Sequence, residues 1–283
     1  MAWEAPWDLG SVTRALKTFS FLGMARLYGG SAGRPRGTSS VDRRGFSSLT
    51  WFAPQNHRDA SPMYLLVFDF DSTLVSVEGL DELFARSLTG HPEQASRIQA
   101  FREVTDLGMA GTISAEESLN RRLAILDVDR ATVDTVAAEI REKVTPSVAK
   151  HASFFRENAK RIHVVSGGFE ELIQPTLGRL GLPLSQLHAH RFQYSKGRVV
   201  GLDPTTAMAR GGKVGIVGAL GSGSEPMPIW IVGDGATDFE VKERGFAERF
   251  VAFTENRWRE PVVATADHVV GSMDELLQLL EDG

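Results

Sequence analysis

Cysteine is absent from the 283 residues. That absence removes disulfide scaffolds, thiolate zinc sites, iron–sulfur clusters and cysteine nucleophiles together. Also missing is any apolar run near the roughly 18–20 residues that a membrane-spanning helix needs, so no membrane partner is expected. Excess positive charge is lacking too: the net charge is −5, which argues against a surface built for nucleic acid. What is there is an ordinary globular balance, 42% hydrophobic and 24% charged. The length suits one large α/β domain, or a core domain with a smaller insert.

The charge divides the chain. Residues 1–62 hold eight Lys/Arg against four Asp/Glu, while the remaining 221 residues carry a net −9. The first segment is rich in Gly, Ser, Arg and Pro and shows no sustained helical or strand period, so disorder is expected there. It reads either as an organellar transit peptide, with a weakly amphipathic stretch from Val12 to Tyr28, or as an extension ahead of a start at Met63. Glu4 and Asp8 count against the first. The second implies a cytoplasmic protein, the first a plastid or mitochondrial one.

From Met63 the pattern becomes regular. Met63–Phe68 is a short continuous apolar run, as a parallel strand covered on both faces should be. Three more such runs follow: Arg161–Val165 before Ser166-Gly167-Gly168, Ile229–Val232 before Gly233-Asp234-Gly235, and Phe250–Phe253. Helical patterns at Glu170–Leu180 and Gly212–Leu220 lie between them. This alternation predicts a doubly wound parallel (Rossmann-like) sheet, with ligands bound beyond the carboxyl ends of its strands. From Val77 to Pro146 the pattern is helical instead, at Leu80–Leu88, Pro92–Leu107, Ser114–Ile125 and Ala131–Lys143, with a capping box at Ser114-x-x-Glu117. Residues 63–76 and 147–283 are therefore expected to form the core domain, and residues 77–146 an inserted helical cap domain above its active edge. A hairpin is expected at Phe192–Val200, turning at Ser195–Gly197, and Ala219–Glu225 reads as a loop.

Asp69 and Asp71 stand two apart at a strand end, and Asp234 and Asp238 four apart at a strand-to-helix turn. Carboxylates that close repel unless a cation or proton lies between them. Three or four converging at a sheet edge, with no sulfur or imidazole, make an oxygen-rich site suited to Mg²⁺. His163, His188 and His190 read as satisfied structural residues.

Asp69-Phe70-Asp71-Ser72-Thr73-Leu74-Val75, Val164-Val165-Ser166-Gly167-Gly168-Phe169, Gly211-Gly212-Lys213 and Val232-Gly233-Asp234-Gly235-Ala236-Thr237-Asp238 resemble the four motifs of the haloacid dehalogenase-like phosphatases. Their order and spacing are similar to the phosphoserine phosphatase branch of that family, from about Met63 to Gly283. The resemblance implies a phosphomonoester hydrolase. Asp69 would be the nucleophile that forms an aspartyl-phosphate, and Asp71 the general acid and base. Mg²⁺ would be held by Asp69, Asp234 and the backbone carbonyl of Asp71. Ser166, Gly167 and Gly168 would bind phosphoryl oxygens, with Thr237 also at the substrate. Lys213 would meet transition-state charge, and Asp238 would orient Lys213 or a metal-bound water.

The resemblance also implies a reader for a small zwitterionic phosphate ester: Glu78 for the ammonium, Arg122 for the carboxylate, and Met109 lining the site. The plainer reading of Glu78 and Arg121/Arg122 is surface charge on amphipathic helices. Thr237 stands where many bacterial relatives have Asn, Ala110 replaces a common glycine and Ala115 a common Phe. Alternatives therefore stay open: another ester such as phosphohomoserine or a phosphosugar, or a non-catalytic phosphate-binding module. A homodimer is left open as well.

Overall fold

The computed structural model describes residues 64–222 and 227–282. The extension, the start at Met63 and the Gly223-Ser224-Glu225 end of the expected loop lie outside the described residues.

Six strands form one parallel sheet: β1 (Leu65–Phe68), β2 (Ile162–Phe169), β3 (Leu187–His190), β6 (Ile229–Gly233), β7 (Arg249–Phe253) and β8 (His268–Val270), in the order β3-β2-β1-β6-β7-β8. β4 (Phe192–Ser195) and β5 (Arg198–Leu202) make a separate antiparallel hairpin. Its turn residues Lys196 and Gly197 both have positive φ, 48° and 77°, as a tight two-residue hairpin turn requires.

The apolar β1 run explains the double winding. Leu66 and Phe68 point into one core cluster with Leu172, Ile173 and Leu177 of α7 (Glu170–Leu180). Leu65 and Val67 point into the other, with Ile216 and Val217 of α8 (Ala207–Gly221) and Val241 of α9 (Ala236–Glu243). A strand apolar at every position is stable only when both faces are covered.

Between β1 and β2 the chain forms α1 (Gly79–Ser87), α2 (Gln94–Met109), α3 (Ala115–Leu123) and α4 (Arg130–Arg141), then the short α5 (Pro146–Lys150) and α6 (Ala152–Glu157). Leu83, Phe84, Phe101, Val133, Val136 and Ile140 of this stretch belong to the same core cluster as Phe68. The apolar interior therefore runs unbroken from the sheet into the helices, and Phe84 stacks on Phe101 at 4.1 Å between centroids. After β7 come α10 (Glu260–Val263), β8 and α11 (Met273–Asp282).

Several sequence expectations change. β3 and β8 were not anticipated, being three- or four-residue edge strands whose histidines break the apolar run. Ser166-Gly167-Gly168 is a bulged continuation of β2, not a loop after it, because register shifts between Val165 and Phe169. α8 begins at Ala207, capped by Thr206, and continues through Ala219-Leu220-Gly221, so the first half of the expected loop is helix. The capping box is half formed: Ser114 Oγ accepts from Glu117 N at 3.0 Å, but the Glu117 carboxylate pairs with Arg121 instead.

Candidate active site

β1 and β6 are neighbours at which the strand order reverses, and the residues following them meet. Such a reversal opens a crevice at the carboxyl edge of the sheet. A cavity of about 760 Å³ lies there. Asp69, Asp71, Glu78, Met109, Arg122, Ser166, Gly167, Gly168, Lys213 and Thr237 all line it. Asp234 and Asp238, 2% and 0% exposed, lie buried beside Asp69.

The loop after β1 is held hard. Ser72 has φ 53°, a left-handed conformation costly for a side-chain-bearing residue. Three hydrogen bonds sustain it: Ser72 N donates to Val77 O at 3.1 Å, Ser72 Oγ to Glu78 Oε1 at 2.7 Å, and Asn256 Nδ2 to Ser72 O at 3.1 Å. The bend turns Asp71 toward the first turn of α1, where Gly79 N donates to its Oδ1 at 2.9 Å. The Asp71 carboxyl is raised well above its ordinary value, by burial first and then by Glu78 and Asp69.

Asp69 Oδ1 accepts from Phe70 N at 2.7 Å and from Lys213 Nζ at 2.9 Å. Lys213 also donates to Asp238 Oδ1 at 2.7 Å. Gly212 makes this reach feasible: its φ of 58° and ψ of −167° break α8 and re-aim the following residue. Burial alone would lower the lysine's pKa, but Asp238 and Asp69 reverse that and hold it above its ordinary value. Asp238 Oδ2 accepts from Gly235 N at 3.2 Å, so both its oxygens are engaged. Ser166 Oγ accepts from Gly168 N at 2.9 Å. A Cβ on Gly168 would come within 3.0 Å of Asp71 Oδ2 and 3.1 Å of Ser166 Oγ, so glycine allows the strand this close.

One oxygen each from Asp69, Asp234 and Asp238 lie within 4.8 Å of one another. Three of the four expected carboxylates thus converge; that of Asp71 stands apart, its Oδ1 accepting from Gly79 N. Asp234 Oδ1 is buried with no hydrogen-bond partner among the described residues, and burial together with Glu78 raises the Asp234 pKa. An orphaned carboxylate oxygen beside a second carboxylate suits a hard cation. The donor set therefore fits a divalent metal, with Asp69 and Asp234 better placed to hold it than the fully bonded Asp238.

Arg259, in the loop after β7, was not singled out from the sequence. Its Nε donates to Asp234 Oδ2 at 3.0 Å, its Nη1 lies 3.4 Å from Asp106 of α2, and its Nη2 lies 3.6 Å from Glu78. The available clue was its place just past the strand at Phe250–Phe253, on the edge where ligands bind. His190 differs from expectation as well. His163 Nδ1 and His188 Nε2 bond each other at 3.2 Å, but the Nδ1 of His190, on a ring that lines the cavity, is buried without a partner among the described residues.

An acidic pair and a buried lysine at the carboxyl edge of a parallel sheet, beneath helices inserted after the first strand, define a haloacid dehalogenase-type hydrolase. The haloacid dehalogenase-like hydrolase family matches residues 66–243, and the chain belongs to it. It is 31% identical over 217 residues to the phosphoserine phosphatase of Bos taurus, covering 76% of this chain and 92% of that one. With the chloroplastic phosphoserine phosphatase of Arabidopsis thaliana it shares 29% over 216 residues, 76% of this chain and 70% of that one. The crystal structure of a phosphoserine phosphohydrolase-like protein from Francisella tularensis superposes with a TM-score of 0.69 at 27% identity, covering 77% of this chain and 99% of that one.

Proposed function

We propose that the chain is a Mg²⁺-dependent phosphoric monoester hydrolase acting on O-phosphoserine, the last step of serine formation. The observation that carries the reading is the convergence, on one cavity, of Asp69, Asp71 and Lys213 with Glu78 and Arg122. The first three suit phosphoryl transfer, and the last two suit an ammonium and a carboxylate.

In this reading a carboxylate oxygen of Asp69 attacks phosphorus. The new bond forms as the ester P–O bond breaks, and Asp71 donates its proton to the departing alkoxide. Asp71 then takes a proton from water, which attacks phosphorus and releases the Asp69 carboxylate and inorganic phosphate. Lys213, tied to Asp69 and Asp238, keeps a positive charge fixed beside the reacting group without reorganising. Ser166 and the amides of Gly167 and Gly168 receive phosphoryl oxygens, as does Thr237 at the start of α9. Asp69 and Asp234 would hold Mg²⁺, with the Asp71 carbonyl; bound there, the ion offsets repulsion between an anionic nucleophile and an anionic ester. The helices of residues 77–146 act as the cap that selects the leaving group, with Met109 on its wall. A cytoplasmic setting goes with this reading, or a plastid or mitochondrial one where residues 1–62 serve for targeting.

A substrate panel with Mg²⁺ tests it: O-phosphoserine, phosphohomoserine, phosphoethanolamine, a sugar phosphate and an aryl phosphate. Phosphoserine should lead by about tenfold or more in kcat/KM, and chelation should stop turnover reversibly. A sugar phosphate leading the panel would overturn the substrate, and activity surviving exhaustive chelation would overturn the metal.

A further inference from the structure

Arg122 is held unlike the arginine beside it. Its neighbour Arg121 pairs with Glu117, but among the described residues Arg122 makes hydrogen bonds only to neutral oxygens. Its Nε donates to Ser118 O and its Nη1 to Thr105 Oγ1, each at 3.3 Å. Thr105, 2% exposed on α2, in turn donates to Asp81 Oδ1 at 2.6 Å. Asp81 sits on α1, 6% exposed, and does not line the cavity, whereas Thr105 and Arg122 do.

A hydroxyl has one proton and two acceptor lone pairs. Burial pushes the Asp81 carboxyl up to about 6, so at neutral pH it is ionised and can only accept. The Thr105 proton is then committed to Asp81; the alternative acceptor, Phe101 O, is farther away at 3.4 Å. That commitment leaves the Thr105 lone pairs for the guanidinium. A carboxylate in direct contact would neutralise Arg122 and compete with an incoming anion. A carboxylate acting through a hydroxyl orients the fork and leaves its charge unspent.

We propose that Asp81 and Thr105 form a positioning relay for Arg122, setting its fork to receive the carboxylate of the substrate. This rests on the reading of Arg122 given under the proposed function. Buried Asp81 and Thr105, on different helices, thereby contribute to specificity without a charge in the cavity.

The test compares kcat and KM for O-phosphoserine and for an aryl phosphate lacking the carboxylate, in full-length Thr105→Val, Thr105→Ser, Asp81→Asn and Arg122→Ala. Thr105→Val keeps the shape and removes the hydroxyl. It should lower the phosphoserine-to-aryl-phosphate ratio of kcat/KM about tenfold, mainly through KM, as losing one bond to a charged group predicts. Thr105→Ser should restore the ratio to within about threefold, and Asp81→Asn should lower it less than Thr105→Val, because an amide oxygen still accepts. In an Arg122→Ala background, Thr105→Val should lower the ratio no further. If Asp81→Asn does not fold, Thr105→Val and its serine rescue decide alone. The relay is overturned if Arg122→Ala shifts the ratio while Thr105→Val slows both substrates alike, or if the two losses multiply. If Arg122→Ala itself leaves the ratio unmoved, the carboxylate reading of Arg122 fails first.

Discussion

Lys213 and Arg122 are both cations lining one cavity, and they are held in opposite ways. Lys213, on the sheet side, sits between two carboxylates at 2.9 and 2.7 Å. Arg122, on the helical side, makes hydrogen bonds, among the described residues, only to a hydroxyl and a carbonyl. The acids do not divide in this way. Asp238 has both oxygens bonded to Lys213 and Gly235, and Glu78 accepts from Ser72 Oγ and has its own cation, Arg259, at 3.6 Å. Under the proposed function, the difference between the two cations shows where each part of the reaction is made. A group that must meet the same phosphoryl charge in every turnover is pre-organised by its own counter-ions. The cation that must discriminate, Arg122, keeps its charge free until the ligand arrives.

The largest effect should come from the sheet side. Asp69→Asn is nearly isosteric, yet an amide is a poor nucleophile, so turnover of every substrate should fall by at least about a thousandfold with the melting temperature little changed. Retention of more than a few per cent of wild-type activity would overturn Asp69 as nucleophile.

On the helical side the loss should depend on the substrate. Truncating one partner of a desolvated charge pair costs roughly 2–5 kcal/mol, so Arg122→Ala should lose about 30- to several-thousand-fold in kcat/KM with phosphoserine. An aryl phosphate should lose far less, and equal losses on both would erase the contrast between the two sides.

Two glycines sharpen the comparison further. A Cβ on Gly233 would stand 2.3 Å from Asp238 Oδ2, and one on Gly108 would stand 2.6 Å from Ser118 Oγ across the α2–α3 contact. Each alanine should destabilise by about 1–3 kcal/mol through overpacking. Gly233→Ala should slow all substrates, because it displaces the partner of Lys213. Gly108→Ala should slow phosphoserine more, because Ser118 carries the carbonyl that holds Arg122. Calorimetry with the two-substrate assay checks this, and a reversed pattern would count against it.

The smallest effect concerns pH. Burial lowers the His190 pKa to about 4, so the folded chain favours its neutral ring. That contribution to stability is fully present above the unfolded value of about 6.5 and is lost as pH falls toward 4. His163, lowered to about 4 by burial and by His188, acts in the same direction. His190→Gln should therefore shrink the drop in Tm between pH 7.5 and pH 5 by roughly 4–8 °C. Parallel wild-type and variant curves would show that the cavity-lining ring does not titrate with unfolding.

Much of the fold was legible because β1 and β6 are covered on both faces and so are continuously apolar, as in Leu65–Phe68 and Ile229–Val232, while β2 and β7 each carry a polar residue in or beside a short apolar run. β3 and β8 escaped because an edge strand needs no such run: Leu187-His188-Ala189-His190 and His268-Val269-Val270 carry the polar residues an edge tolerates. Among site residues, the four motifs stood out because they are contiguous. Arg259 and the Asp81–Thr105 pair did not, since their partners lie far away in sequence, 153 residues from Asp106 to Arg259 and 24 from Asp81 to Thr105.

Local spacing by itself determined which residues end the strands: Asp69 and Asp71 after one, Asp234 and Asp238 after another, glycines where the chain must bend. Those follow from periodicity and backbone sterics, which act over a few residues. Only the tertiary structure decided which oxygen stays free and which is spent. It turned the Asp71 carboxylate to Gly79, tied Asp238 to Lys213, left Asp234 Oδ1 unpartnered among the described residues, and gave Arg122 a hydroxyl in place of a counter-ion. Hydrogen bonds and Coulomb forces act over a few ångströms in space, whatever the distance along the chain, so no spacing in the sequence records them.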